Sequence, residues 1–194
     1  FLQDDPPDLA NANGVVLDGS IAVRLSGSIT PGQYAQANGV SGSDPIGQVE
    51  SSSGKVEVVR EDGTREFLKQ GSPIFQGDII ETGNDGAIGI IFLDESTFSL
   101  GESGRMTLDE MIYDPGEQSG TMNVSLLQGA FSFVSGKIAK TDPNAMEVNT
   151  PTATIGIRGT AAGGNIDAGG VTTTALLPEA SGFTGEMSIS NDAG

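Results

Sequence analysis

The chain has 194 residues, 36% of them hydrophobic, with 29 glycines and no tryptophan, cysteine or histidine. This length can bury one or two cores, while the missing cysteine and histidine remove disulfides, thiol nucleophiles, thiolate zinc sites and the commonest general base. Nine basic against 26 acidic residues leave a formal charge of −17, a field that disfavours nucleic acid and anionic lipid as partners, and no apolar run reaches the length of a membrane span.

The acidity is spread along the chain, with −4, −8 and −5 over residues 1–45, 46–113 and 114–194. Residues 1–13 are polar, proline-containing and aperiodic, and predict a disordered lead-in. Val15 to Leu25 predicts two short strands about an Asp18-Gly19 turn. Ser26 to Gly54, rich in Gly, Ser, Asn and Gln, predicts a linker or long loop with at most one brief strand near Tyr34. From Gly54 the pattern sharpens. "GKVEVVREDGTREFL" alternates Val56 and Val58 with charged neighbours and turns at Asp62-Gly63, a strong hairpin signal.

Further strands are predicted near Ile80, Ile90, Phe98 and Leu108, with turns at 84–86, 94–96 and 102–104. Ile88, Ile90 and Phe92 alternate with Gly89 and Ile91, which predicts cover on both faces of that strand. Asp114 to Gly120 reads as a loop, followed by two strands at Val124–Leu127 and Ala130–Val134. "TDPNAM" predicts one helical turn, capped by Thr141 or Asp142 with Pro143 in its first position. "EVNTPTATIGIR" predicts a strand pair or one bent strand. Gly159 to Gly170 reads as a glycine-rich loop, and two or three weaker strands follow.

The expected fold is therefore all-β: a multi-stranded antiparallel domain of short strands and tight turns, of β-roll or sandwich type. Residues 1–46 form an N-terminal linker or peripheral β segment, 47–160 the main domain, and 161–194 a glycine-rich loop with a C-terminal β extension. The missing initiator methionine and the open end "SISNDAG" read as a piece cut from a longer polypeptide.

Little of this carries chemistry. Asp94-Glu95 and Asp109-Glu110 are adjacent pairs that point to opposite faces of a strand, so they do not converge as catalytic carboxylates; they read as turn or solvent-face residues. "NDG", "LDES" and "NDAG" lack the alternating acidic ladder of a calcium loop, so no cofactor is expected, with calcium the alternative that the acidity leaves open. "GNDGAIG" reads as a hairpin turn and not a dinucleotide loop. Phe92, Phe98, Phe131 and Phe133 read as core. Arg158, alone in an apolar strand, reads as an ion pair or a carbonyl clamp. A carbohydrate-binding face would require exposed aromatics, for which Tyr34, Tyr113 and the phenylalanines are the candidates.

The ordered series "GKVEVVREDGTREFLKQGSPIFQGDIIETGNDGAIGIIFLDESTFSLGESGRMTLDE", "SLLQGAFSFVSG" and "VNTPTATIGIRGT", within Gly54 to Thr160, resembles the FecR domain family. Its signature pieces hold Gly77 and Asp78 in "GDIIETG", Gly129 and Gly136 in "LLQGAFSFVSG", and Pro151, Gly156, Arg158 and Gly159 in "TPTATIGIRGT". The resemblance implies an extracytoplasmic, non-enzymatic β domain that works with protein partners in the cell envelope or with neighbouring domains. Transmembrane regulators of this family add a sigma-factor-binding segment and a membrane helix, neither of which is present in this sequence.

The form with "DEMIYDP" and "FSFVSGKIAKTDP" is more similar to FecR-type modules near the start of large secreted, adhesin-like repeat proteins. In some such adhesins a periplasmic calcium-dependent cysteine protease cuts between the alanines of a Thr-Ala-Ala-Gly-like site. Thr160, Ala161, Ala162 and Gly163 match that motif, and the resemblance makes Ala161-Ala162 a cleavage candidate beside the plain reading of a glycine-rich loop. The expected place is secreted, cell-surface or periplasmic, and a sensory role in the periplasm stands as the alternative.

Overall fold

The computed structural model describes residues 15–17, 20–22, 44–117, 119–141, 145–158, 161–177 and 185–191, with backbone alone at 15–17, 20–22, 141 and 158. The chain divides into two units, Phe1–Asp44 and Pro45–Gly194. In the first, β1 (Val15–Leu17) and β2 (Ser20–Ala22) pair antiparallel, Val15 opposite Ala22. These are the two strands expected there. The lead-in, the Asp18-Gly19 turn and the strand near Tyr34 lie outside the described residues.

The second unit runs through β3 (Gly47–Ser53), β4 (Val56–Val59), β5 (Arg65–Phe67), β6 (Pro73–Ile74), β7 (Ile79–Thr82), β8 (Ala87–Phe92) and β9 (Thr97–Leu100). It continues with β10 (Arg105–Asp114), β11 (Ser119–Val134), a single helical turn α1 (Ile138–Thr141), β12 (Met146–Asn149), β13 (Thr154–Arg158), β14 (Ala161–Ile166), β15 (Thr172–Leu177) and β16 (Glu186–Ser190). Its strands join one sheet that curls as a half-barrel, the β-rich class that the short alternating runs and Gly turns predict.

Two wings share β11. One wing is ordered β6-β3-β8-β9-β11-β14-β15, the other β5-β4-β7-β10-β11-β12-β13-β16. The first part of β11 pairs with β10 and β12, and its last six residues, Gly129 to Val134, lie between β9 and β14. The two strands expected at 124–127 and 130–134 are thus one bent strand. Its bend falls at Gly129, whose φ is +103° and where a Cβ would sit 2.6 Å from the Gly104 Cα. Only glycine meets both conditions.

Four other expectations change. The turns at 84–86 and 102–104 carry the chain from one wing to the other and close no hairpin, whereas 94–96 does close the β8–β9 hairpin. The helical turn precedes "TDPNAM" by about one turn, and residues 142–144 lie outside the described set. It belongs to a crossover that returns β12 parallel to β11, Met122 beside Met146, the one parallel pairing among the described strands; a crossover is what a parallel pair requires. β3 falls inside the expected linker, because "GQVESSS" holds its place by main-chain pairing with β8 and inserts only Val49 deeply.

The core follows the period-2 pattern. Ile88, Ile90 and Phe92 of β8 are buried with Phe98, Leu100, Phe131 and Phe133, and Gly89 on the opposite face is buried too. Phe98 stacks on Phe131 and Phe133 at centroid distances of 6.5 and 6.0 Å. The four expected core phenylalanines are all buried.

Candidate interaction surface

Three buried polar groups organise the body, and each is fully committed to holding it together. Asp78, 1% exposed, immediately precedes β7. Its Oδ2 accepts hydrogen bonds from the Phe75 N–H at 2.8 Å and from Arg60 at 2.6 Å. Arg60 follows β4, which pairs with β7, so register brings the two together. The same guanidinium donates to Glu66 Oε2 at 3.0 Å and the Pro73 carbonyl at 3.3 Å, and lies over the Phe75 ring at 5.1 Å. Burial pushes the Asp78 carboxyl above the ordinary carboxylate value, against the pull of the Phe75 N–H and of Arg60.

Asp94 is the turn acid expected at 94–96, and it is wholly buried instead of facing solvent. Its Oδ1 accepts from the Ser96 N–H at 3.0 Å and from the Ser96 hydroxyl, and its Oδ2 from the Ile138 N–H at 3.3 Å. One carboxylate therefore closes the β8–β9 turn and caps the start of α1, satisfying donors that a helix start leaves open. Thr82 does similar work at 102–104: its hydroxyl donates to the Gly101 carbonyl at 2.5 Å and accepts from the Gly104 N–H at 2.7 Å.

Of the expected signature residues, Gly77, Gly129 and Gly136 lie at these junctions. Gly77 has φ +84° and donates to the Leu108 carbonyl at 2.7 Å, so backbone conformation demands glycine there. A Cβ on Gly136 would lie 2.3 Å from the Asp94 carbonyl oxygen and 2.4 Å from the Ser96 nitrogen, so the chain leaving β11 runs directly against the Asp94 turn. Gly156 faces Ser188 of β16, and Pro151 is exposed beside Gly170. Arg158 pairs by its backbone with Glu186, while its side chain, Gly159 and Thr160 lie outside the described set.

The run expected as a glycine-rich loop is the strand β14, paired to β11 on one side and β15 on the other. Ala161 and Ala162 are buried in it, Ala162 opposite Phe133 and Leu176. Its small side chains have a packing cause. A Cβ on Gly164 would meet the Thr173 carbonyl at 2.2 Å and the Phe131 ring at 2.9 Å. The sequence signal missed here was Phe131 itself, a large ring on the neighbouring strand that needs a groove of minimal side chains.

Among the described residues no group of three or more His, Cys, Asp or Glu is placed to hold a metal ion, and no helix is long and apolar enough to cross a membrane. Phe67 is the one exposed aromatic ring among them. What the surface does offer lies at its edges. Exposed Val171 precedes β15, exposed Leu177 ends it, and Ile189 is exposed on β16. Leu176 and Met187 pack half-buried against the core from opposite wings, with the Thr174 hydroxyl 3.8 Å from the Met187 sulfur.

A family model described as "FecR protein" matches residues 78–178, a little over half of the chain, from Asp78 at the start of β7 to just past β15. A solved structure described as "Cell surface anchoring domain" is 32% identical over 32% of this chain and 83% of its own, with a TM-score of 0.32. No curated protein matches. FecR-family domains are non-catalytic, which accords with buried acids that serve turns and a helix start. From Asp78 through the β11 bend to β15 the chain carries that family's pattern, and it belongs to the FecR family.

Proposed function

We propose that this FecR domain is an extracytoplasmic interaction module of a large secreted or surface-associated bacterial protein, and that it acts by binding and positioning its partners. The observation that carries the reading is the division of labour among its side chains. Arg60, Asp78, Asp94 and Thr82 are spent on the fold, while apolar residues remain exposed at the strand edges. Exposed apolar surface on a strongly charged domain marks a place for protein contact. The −17 charge fits a protein partner better than nucleic acid or an anionic membrane.

Within this reading the module belongs to an adhesin-like protein and takes part in holding it at the cell surface. Deleting residues 45–191 from the full-length gene product tests it: loss of surface retention supports the adhesin role. Unchanged retention with altered signalling supports instead a periplasmic sensory domain. Release by proteolysis between Ala161 and Ala162 is a further step of the adhesin reading. It requires β14 to separate first from both β11 and β15, because a protease takes its substrate main chain extended and unpaired.

A further inference from the structure

We propose that Met111, Met122 and Met146 form a thioether site for a soft monovalent cation of the Cu(I) or Ag(I) class. The chain holds five methionines and neither cysteine nor histidine, so thioether sulfurs are the soft donors it has. Register gathers them. Met111 of β10 stands opposite Met122 of β11, and Met122 stands beside Met146 of β12. One step from the Glu147–Gly156 pair, the same row continues through Ile157 of β13 to Met187 of β16. Four of the five methionines thus share one cross-strand row, and Met106 lies off it, opposite Leu126.

The three adjacent members, Met111, Met122 and Met146, face the core and are 7%, 1% and 1% exposed. Paired residues on one face of a sheet have Cβ atoms about 4.5–5.5 Å apart. The unbranched, rotatable thioether side chain lets the outer two sulfurs turn toward an ion held by the middle one. Leucine fills the same space at little cost, so packing alone does not ask for sulfur on three strands in succession. Thioethers are neutral, and an ion taken into a core needs opposite charge close by. The fold supplies it. The Ser96 hydroxyl lies 3.6 Å from the Met122 sulfur and donates to the wholly buried Asp94 carboxylate. Among the described residues that carboxylate accepts from Ser96 and Ile138 and forms no ion pair, since the Lys137 ammonium is turned to Glu95. One carboxylate balances one monovalent cation, whereas calcium would add excess charge and asks for oxygen ligands.

The probe is silver(I) nitrate in chloride-free buffer, added to the full 194-residue chain with methyl-labelled methionine; Cu(I) kept reduced by ascorbate without oxygen forms a parallel arm. At one equivalent the methyl signals of Met111, Met122 and Met146 should move together, while those of Met106 and Met187 stay in place. The melting temperature should rise by roughly 5–10 °C once free ion exceeds the dissociation constant a hundredfold. Calcium should move none of these signals. Met122→Leu keeps the core volume and should weaken silver binding about tenfold or more, and Met106→Leu should leave it unchanged. Thermal unfolding without ion shows that each variant is folded, and the wild-type methyl signals decide the matter even where a variant is not. No response to either ion, a response confined to Met187, an equal loss in both leucine variants, or an unmoved melting temperature would each overturn the proposal.

Discussion

Replacing Arg60 with methionine keeps an apolar stem near Phe75 and removes the charge that faces Asp78. The carboxylate is 1% exposed and Arg60 15% exposed, so the contact is largely shielded from water. Removing one partner of a buried ion pair costs roughly 3–5 kcal/mol, because the other is left uncompensated. Asp78 keeps the Phe75 N–H and Arg60 is not fully buried, which places the loss near the low end, about 3 kcal/mol at neutral pH. For a unit of this size each kcal/mol moves the melting temperature by about 2–4 °C, hence roughly 6–12 °C in all.

The pH dependence supplies a second check. Burial already raises Asp78 above its ordinary value of 3.8. A folded pKa above the unfolded one means that the stabilisation is full below the unfolded value and is lost as pH rises through the folded value. Without Arg60 the carboxyl rises further, and taking up a proton relieves the unpaired charge. The variant's deficit should therefore shrink between pH 7 and pH 5. Urea unfolding of wild type, Arg60→Met, Asp78→Asn and the double variant at both pH values measures this, and the double variant should be less destabilised than the two singles summed. A deficit below about 1 kcal/mol at pH 7, or one equal at both pH values, would refute the reasoning.

Other outcomes follow from the same geometry. Gly129→Ala should cost about 2–4 kcal/mol in urea unfolding, since it combines an unfavourable φ with a backbone clash against Gly104; a loss under about 0.5 kcal/mol would mean that the bend relaxes freely. Asp94→Ala removes the acceptor that serves the Ser96 N–H and the Ile138 N–H, and should lower stability by about 2–4 kcal/mol with faster exchange at 138–141. Native-state proteolysis should leave the Ala161–Ala162 bond intact in the folded chain, with cutting there rising only as denaturant opens β14; rapid cutting in buffer would show that the strand frees itself readily.

The strands with strong alternation were legible from sequence: Val56 and Val58 before Asp62-Gly63, and Ile88, Ile90 and Phe92, give the right elements because one face must be buried. Elements held by main-chain pairing were not. β3 inserts little besides Val49, and β14 is built of alanine and glycine whose smallness answers to Phe131 thirty-three residues earlier. Local pattern also cannot tell a hairpin from a crossing between wings, so 84–86 and 102–104 looked like 94–96. The Arg60–Asp78 contact becomes visible only after β4 is paired with β7, and before that step Arg158 stood out instead because its strand is otherwise apolar.

The shared strand β11 also governs the order of assembly. Before residue 119 is available, the strands β6-β3-β8-β9 and β5-β4-β7-β10 pair as two separate sets, connected by the chain's repeated passage between wings. β11 is the first element that pairs with both. Contacts of such long sequence separation make for slow folding. They also make the two wings rise and fall together, as a single cooperative transition whose trigger lies in the second half of the chain.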